Sequence, residues 1–115
     1  MVDYEERVRS SIKRAVALFE EINLPDGHWD VSAYKKALLC RMELQYSIAL
    51  LKLATGFDPQ RAVRSSTDPN TILQTLKHIL KEPLSERTLE GLYQADLFLG
   101  RRILQIRRTL KAHPK

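Results

Sequence analysis

Residues 32–55 read SAYKKALLCRMELQYSIALLKLAT, with no glycine or proline and an apolar residue on almost every side of a helix. A stretch this long and this free of breakers predicts one continuous helix. Tyr34, Ala37, Leu38, Leu39, Cys40, Met42, Leu44, Ile48, Ala49, Leu50, Leu51, Leu53 and Ala54 surround its axis. A helix apolar all round is expected in the middle of a bundle. Its polar residues form two thin lines: Arg41, Gln45 and Lys52 make one, Glu43 and Ser47 the other. Burying any of them is costly unless it is paired.

The rest of the chain supplies partners for such a helix. Val8, Ile12, Ala15, Phe19 and Ile22 recur at helical spacing, which predicts a helix over residues 3–22 with Asp3, Glu5 and Glu6 in its first turn. Pro25-Asp26-Gly27 follows as a turn, and Trp29 is expected to fold back over the core. Gly56 stops the second helix. Asp58-Pro59 and Asp68-Pro69 repeat one signal, an Asp cap before Pro at the first helical position. They predict a short helix over 59–64 and a longer one over 69–81, separated by the basic stretch RAVRSST. Pro83 breaks the chain, and Ser85 is placed to cap a last helix ending near residue 112, about 40 Å long. The fold expected is all-α: an antiparallel four-helix bundle with one extra short helix, residues 1–115 forming a single domain.

Composition excludes several classes. One cysteine, Cys40, rules out an internal disulfide and favours a reducing compartment. The first residues are charged and carry no apolar signal region, and no apolar run approaches the length of a membrane span. The expectation is a cytosolic protein with no membrane partner. The net charge of +5 is localised. From residue 87 onward, Arg87, Arg101, Arg102, Arg107, Arg108, Lys111 and Lys115 stand against only Glu90 and Asp96, and residues 1–86 are neutral, so the excess concentrates in the last helix and tail. Such asymmetry points to an anionic partner.

Within that helix, the stretch DLFLGRRILQIRR carries the informative residues. Leu89, Leu92, Leu99, Ile103, Ile106 and Leu110 form a bundle seam. Asp96 interrupts it and is expected to pair with Arg41 or Lys52. Gly100 costs about 1 kcal/mol inside a helix, and close approach of another backbone, internal or a partner's, would explain it. Gln94, Arg101, Gln105 and Arg108 share one side, Arg87 and Glu90 extend it toward the N-terminus, Phe98 lies at its edge and Arg102 flanks it. Arginines, a glutamine and a semi-exposed aromatic suit a phosphate backbone and a stacked base. The plainer alternative is a solvated face whose cations complement the helix dipole.

Chemistry is otherwise sparse. His28, His78 and His113 lack metal-ligand spacing, and Cys40 reads as an inert core thiol. Arg108 and His113 are spaced somewhat as in helical ribonucleases of the HEPN type, but with no helix behind them to build a site. No phosphate loop or catalytic triad is present, so no enzyme activity, metal or cofactor is expected.

The stretch LFLGRRILQ, residues 97–105, is similar to an apolar-x-Leu-Gly-x-x-x-Gln pattern in the C-terminal helices of some large subunits of CRISPR effector complexes. In size, charge and helix content the chain resembles the small subunits of those Cascade-like complexes. Here the Gln falls one position late, and Arg101-Arg102 replaces the aromatic pair after the Gly. The resemblance implies a bundle that stacks in a larger ribonucleoprotein and holds single-stranded DNA or an RNA backbone without reading sequence. Arg101, Arg102 and Arg108, with Arg61 and Arg64, would make the contacts. The partners expected are nucleic acid, other protein subunits and copies of the chain itself. The alternative is a protein–protein adaptor whose arginine face meets an acidic partner.

Overall fold

A computed structural model describes residues 4–22, 30–57 and 68–112. Four helices make up the fold: α1 (Tyr4–Ile22), α2 (Val31–Thr55), α3 (Pro69–Ile79) and α4 (Glu86–Ala112). There is no strand among the described residues. The expected short helix over 59–64, the turn at Pro25 and the Trp29 lid lie outside them.

α2, α3 and the start of α4 are bounded by local caps. The Asp30 carboxylate accepts from the Ala33 N–H at 2.8 Å and caps α2, which closes on Gly56 in the left-handed region at φ 73°. Asp68 accepts from the Asn70 N–H at 3.1 Å and from the Thr71 hydroxyl at 2.7 Å, with Pro69 opening α3. Before α4, the Ser85 N–H donates to the Thr88 hydroxyl at 2.9 Å, the returning half of a capping box.

α3 stops two residues short of the expected boundary. Its chain tightens to i→i+3 bonds, from Lys81 N–H to the His78 carbonyl and from Glu82 N–H to the Ile79 carbonyl, before Pro83. Arg9 of α1 then caps the end by donating to the Leu80 and Glu82 carbonyls at 3.0 and 2.9 Å.

The packing corrects the expected place of α2. α1 touches α2 and α3, and α4 touches α2 and α3, while α2 and α3 do not meet. The helices form a ring of four, and none is central. The core fills the ring: Val8, Ile12, Phe19, Leu44, Leu51, Ile72, Leu76, Leu89, Leu92, Leu99 and Ile106 are all buried. Phe19 and Phe98 meet across it, ring centroids 5.7 Å apart. Leu39, Met42 and Leu53 of α2 are 51, 63 and 85% exposed. α2 is apolar all round because it has a core face and an uncovered outer face, not because it is enclosed.

Glu43 from one polar line of α2 and Arg41 from the other lie at its two seams, while Gln45 and Lys52 are exposed. Toward α1, the Glu43 carboxylate accepts from the Ser11 hydroxyl and lies 3.2 Å from Arg14 Nε, and the Cys40 thiol donates to the Ala15 carbonyl at 3.2 Å. Lys36 pairs with Glu21 further along. Partners on α1 therefore fall in number as those on α2 rise, so these two helices run in opposite directions. Toward α4, Arg41 binds Asp96.

The basic face of the last helix

α4 has the length and surface to hold its core with one side and present cations with the other. Thr88, Leu89, Gly91, Leu92, Ala95, Phe98, Leu99, Ile103 and Ile106 are buried. Arg87, Arg101, Gln105, Arg107 and Arg108 are exposed. Arg101 and Arg108 are two turns apart, about 10 Å along the axis, and Arg87 lies about 20 Å before Arg101. Among the described residues, Arg87, Arg101 and Arg108 form no ion pair. Glu90, half-buried, shares this side of the helix one turn after Arg87, so the unopposed part of the line is Arg101 and Arg108.

Two residues expected on this face stand elsewhere. Phe98 is 7% exposed and packs on Phe19, so it offers no open ring to a base. The reason is angular: Phe98 sits on the α1-facing edge of the core stripe, beside Ala95 and Leu99. Arg102 is half-buried, with its guanidinium 5.1 Å from the centre of the Phe98 ring. Burial lowers its pKa from the ordinary arginine value, though it stays charged. Arg102 thus closes the core at its rim. Arg61 and Arg64 lie outside the described residues.

The residues expected to be structural meet in one place. Arg41 Nε donates to Asp96 Oδ1 at 3.0 Å, and the Asp96 side chain is 16% exposed. A Cβ on Gly100 would stand 3.2 Å from the Arg41 Cζ and Nη2. The close approach is thus internal, and it is a guanidinium and not a backbone that needs the room. A second tight glycine had not stood out in the sequence. A Cβ on Gly91 would stand 2.6 Å from Ile79 Cδ1 and 3.1 Å from Thr75 Cγ2. Here α3 and α4 approach closely, and the neighbour is core.

Other candidates for chemistry do not assemble. Cys40 is buried, and burial together with the Glu43 charge pushes its thiol up to about 12. His78 faces Glu82 at 2.7 Å on the surface, while His28 and His113 lie outside the described residues. Among the described residues no group of His, Cys, Asp or Glu gathers as a metal site would, and no helix is long and apolar enough to cross a membrane. An open hollow lined by Asn70, Gln74, Lys77 and His78 runs along α3 and contains none of the α4 residues.

What sequence reasoning missed is the outer face of α2. Its signal was present: Leu39, Met42, Tyr46, Ala49 and Leu53 follow a 3-4-3-4 spacing, separate from the Ala37, Cys40, Leu44, Ile48 and Leu51 set that is buried. The fold and its surfaces thus define an all-α helical bundle with a basic ridge and an apolar one. No protein-family model, no curated protein and no solved structure matches the chain.

Proposed function

We propose that this protein is a non-enzymatic helical subunit of a larger cytosolic assembly, and that it holds a nucleic-acid backbone through the exposed side of α4. The observation that carries the reading is the line Arg87, Arg101 and Arg108, exposed and without an ion pair among the described residues. Gln94, half-buried, and Gln105, exposed, lie along the same side. Guanidinium groups on a rigid helix suit phosphate oxygens, and a line of them without an open aromatic gives affinity without base reading. The buried Phe98 removes stacking from the mechanism and leaves it electrostatic.

The similarity to small subunits of CRISPR effectors implied the same class of partner. Gly100, central to that likeness, is explained here by Arg41 within the chain. The proposal therefore rests on the exposed arginines. The Arg108–His113 ribonuclease spacing has no described geometry to support it.

The adaptor reading draws on a separate observation, the uncovered apolar face of α2. Under it, the α4 arginines meet an acidic protein. Charge reversal separates the two readings. With Arg101→Glu and Arg108→Glu combined, the first expects binding of single-stranded DNA or RNA to fall at least about tenfold while assembly with protein partners survives. Lost assembly with nucleic-acid binding unchanged would favour the adaptor.

A further inference from the structure

α2 has two apolar faces, and only one is used inside the described fold. Opposite the buried face, Leu39, Met42, Tyr46 and Leu53 are 51, 63, 45 and 85% exposed, and Ala49 is exposed with them. Their steps of three, four, three and four residues are the repeat by which one helix seats on another. With Leu38 at the edge, the stripe exposes apolar area on the order of 500 Å², near the top of the range for the largest patch on a monomer. That is more than half of the roughly 800 Å² each partner gives to a standard interface.

The stripe is nearly uncharged. Along its rims, Lys36 is paired with Glu21, Glu43 with Arg14, and Arg41 with Asp96, and Lys52 is exposed beside Leu53. A covering partner would therefore be chosen by shape and apolar fit, with little call for opposite charge. The one charge within the stripe is Lys35, one turn before Leu39.

We propose that a second copy of this chain covers the stripe, α2 packing antiparallel on α2 about a two-fold axis at the level of Leu44. A two-fold contact needs a self-complementary surface, and the register here supplies one. It sets Leu39 opposite the partner's Ala49 and Met42 opposite the partner's Tyr46, so the bulkiest residue meets the most adaptable and a leucine meets an alanine. It sets Lys35 opposite the partner's Leu53, where the lysine methylenes lie on the leucine and the ammonium reaches water. Parallel pairing would instead bring Lys35 against Lys35 and Tyr46 against Tyr46. The inference is independent of what the α4 arginines bind.

Sedimentation equilibrium of the full chain tests it. Twice the chain mass is expected, and Met42→Lys combined with Leu53→Lys should weaken the dimer at least about tenfold with helix content unchanged by circular dichroism. A monomer at every concentration would overturn the proposal and leave the stripe to a different protein. So would a dimer indifferent to both lysines. Register is tested by disulfides, which need Cβ atoms about 4 Å apart. A Leu39→Cys chain mixed with an Ala49→Cys chain should cross-link, and neither should alone. Cross-linking of either variant with itself would overturn the antiparallel register.

Discussion

The Arg41 guanidinium occupies the space that a side chain at position 100 would fill. Its Cζ would stand 3.2 Å from a Cβ on Gly100, while its Nε binds Asp96 one turn earlier at 3.0 Å. An acid at the edge of the core stripe and a glycine in mid-helix are thus two halves of one arrangement. The acid neutralises the guanidinium, and the glycine makes room for it.

The two mid-helix glycines of α4 should respond differently to alanine. At Gly100 the obstacle is the end of a flexible side chain, and alanine returns about 1 kcal/mol of helix propensity. Gly100→Ala should leave stability within about 1 kcal/mol of wild type. At Gly91 the obstacle is Ile79 Cδ1 at 2.6 Å, inside the core, so Gly91→Ala should cost about 1–3 kcal/mol through overpacking. Urea unfolding of both variants checks this, and the reverse order would contradict it.

Asp96→Asn should destabilise the fold by about 1 kcal/mol, the value of a charge-assisted bond discounted for partial exposure. A double-mutant cycle with Arg41→Met should show coupling of similar size. Additive effects would mean that the pair does not act as one. Binding through α4 should be unchanged in the folded Asp96→Asn protein.

The four helices were legible in the sequence through local spacing, and so was the need of Asp96 for a cation of α2, through the cost of an unpaired buried charge, though not the choice of Arg41 over Lys52. The place of α2 was not legible either. Hydrophobicity on every side has two physical causes, enclosure or a second contact face, and composition does not separate them. The 3-4-3-4 spacing of Leu39, Met42, Tyr46, Ala49 and Leu53 carries the distinction. Phe98 was misplaced because a residue at the stripe's edge is exposed or buried according to what packs there, and Phe19 lies across a gap of many residues. Gly91 gave no signal because the close approach of α3 and α4 is set by their crossing, which no local pattern encodes.

Acid should destabilise the α1–α2 seam. Burial opposes charge on Glu43, but the Ser11 hydrogen bond and Arg14 outweigh it and hold the carboxyl below its ordinary value. A carboxylate with a lowered folded pKa stabilises the fold above its unfolded pKa, and that contribution is lost as pH falls through the folded value. Melting temperature should therefore drop below the ordinary carboxylate range, and Glu43→Gln should reduce the drop. Melting profiles of the two proteins that stay parallel through the acid range would contradict this.

Cys40 should resist thiol reagents in the folded protein. Its thiol is buried, donates to the Ala15 carbonyl and is pushed up to about 12, so little thiolate forms near neutral pH. Reaction with a disulfide reagent should be slow until denaturant is added. Rapid labelling of the native protein would show that α1 and α2 separate readily.

The central claim is that exposed arginines of α4 meet phosphates. Its most direct test is the salt dependence of binding to single-stranded and duplex nucleic acid, measured by fluorescence anisotropy. If Arg87, Arg101 and Arg108 each neutralise one phosphate, log K against log salt should slope by about −2 for single strands and about −3 for a duplex. Arg101→Glu with Arg108→Glu should flatten both slopes and lower the affinity. No detectable binding at low salt, or a slope that charge reversal leaves unchanged, would contradict the claim.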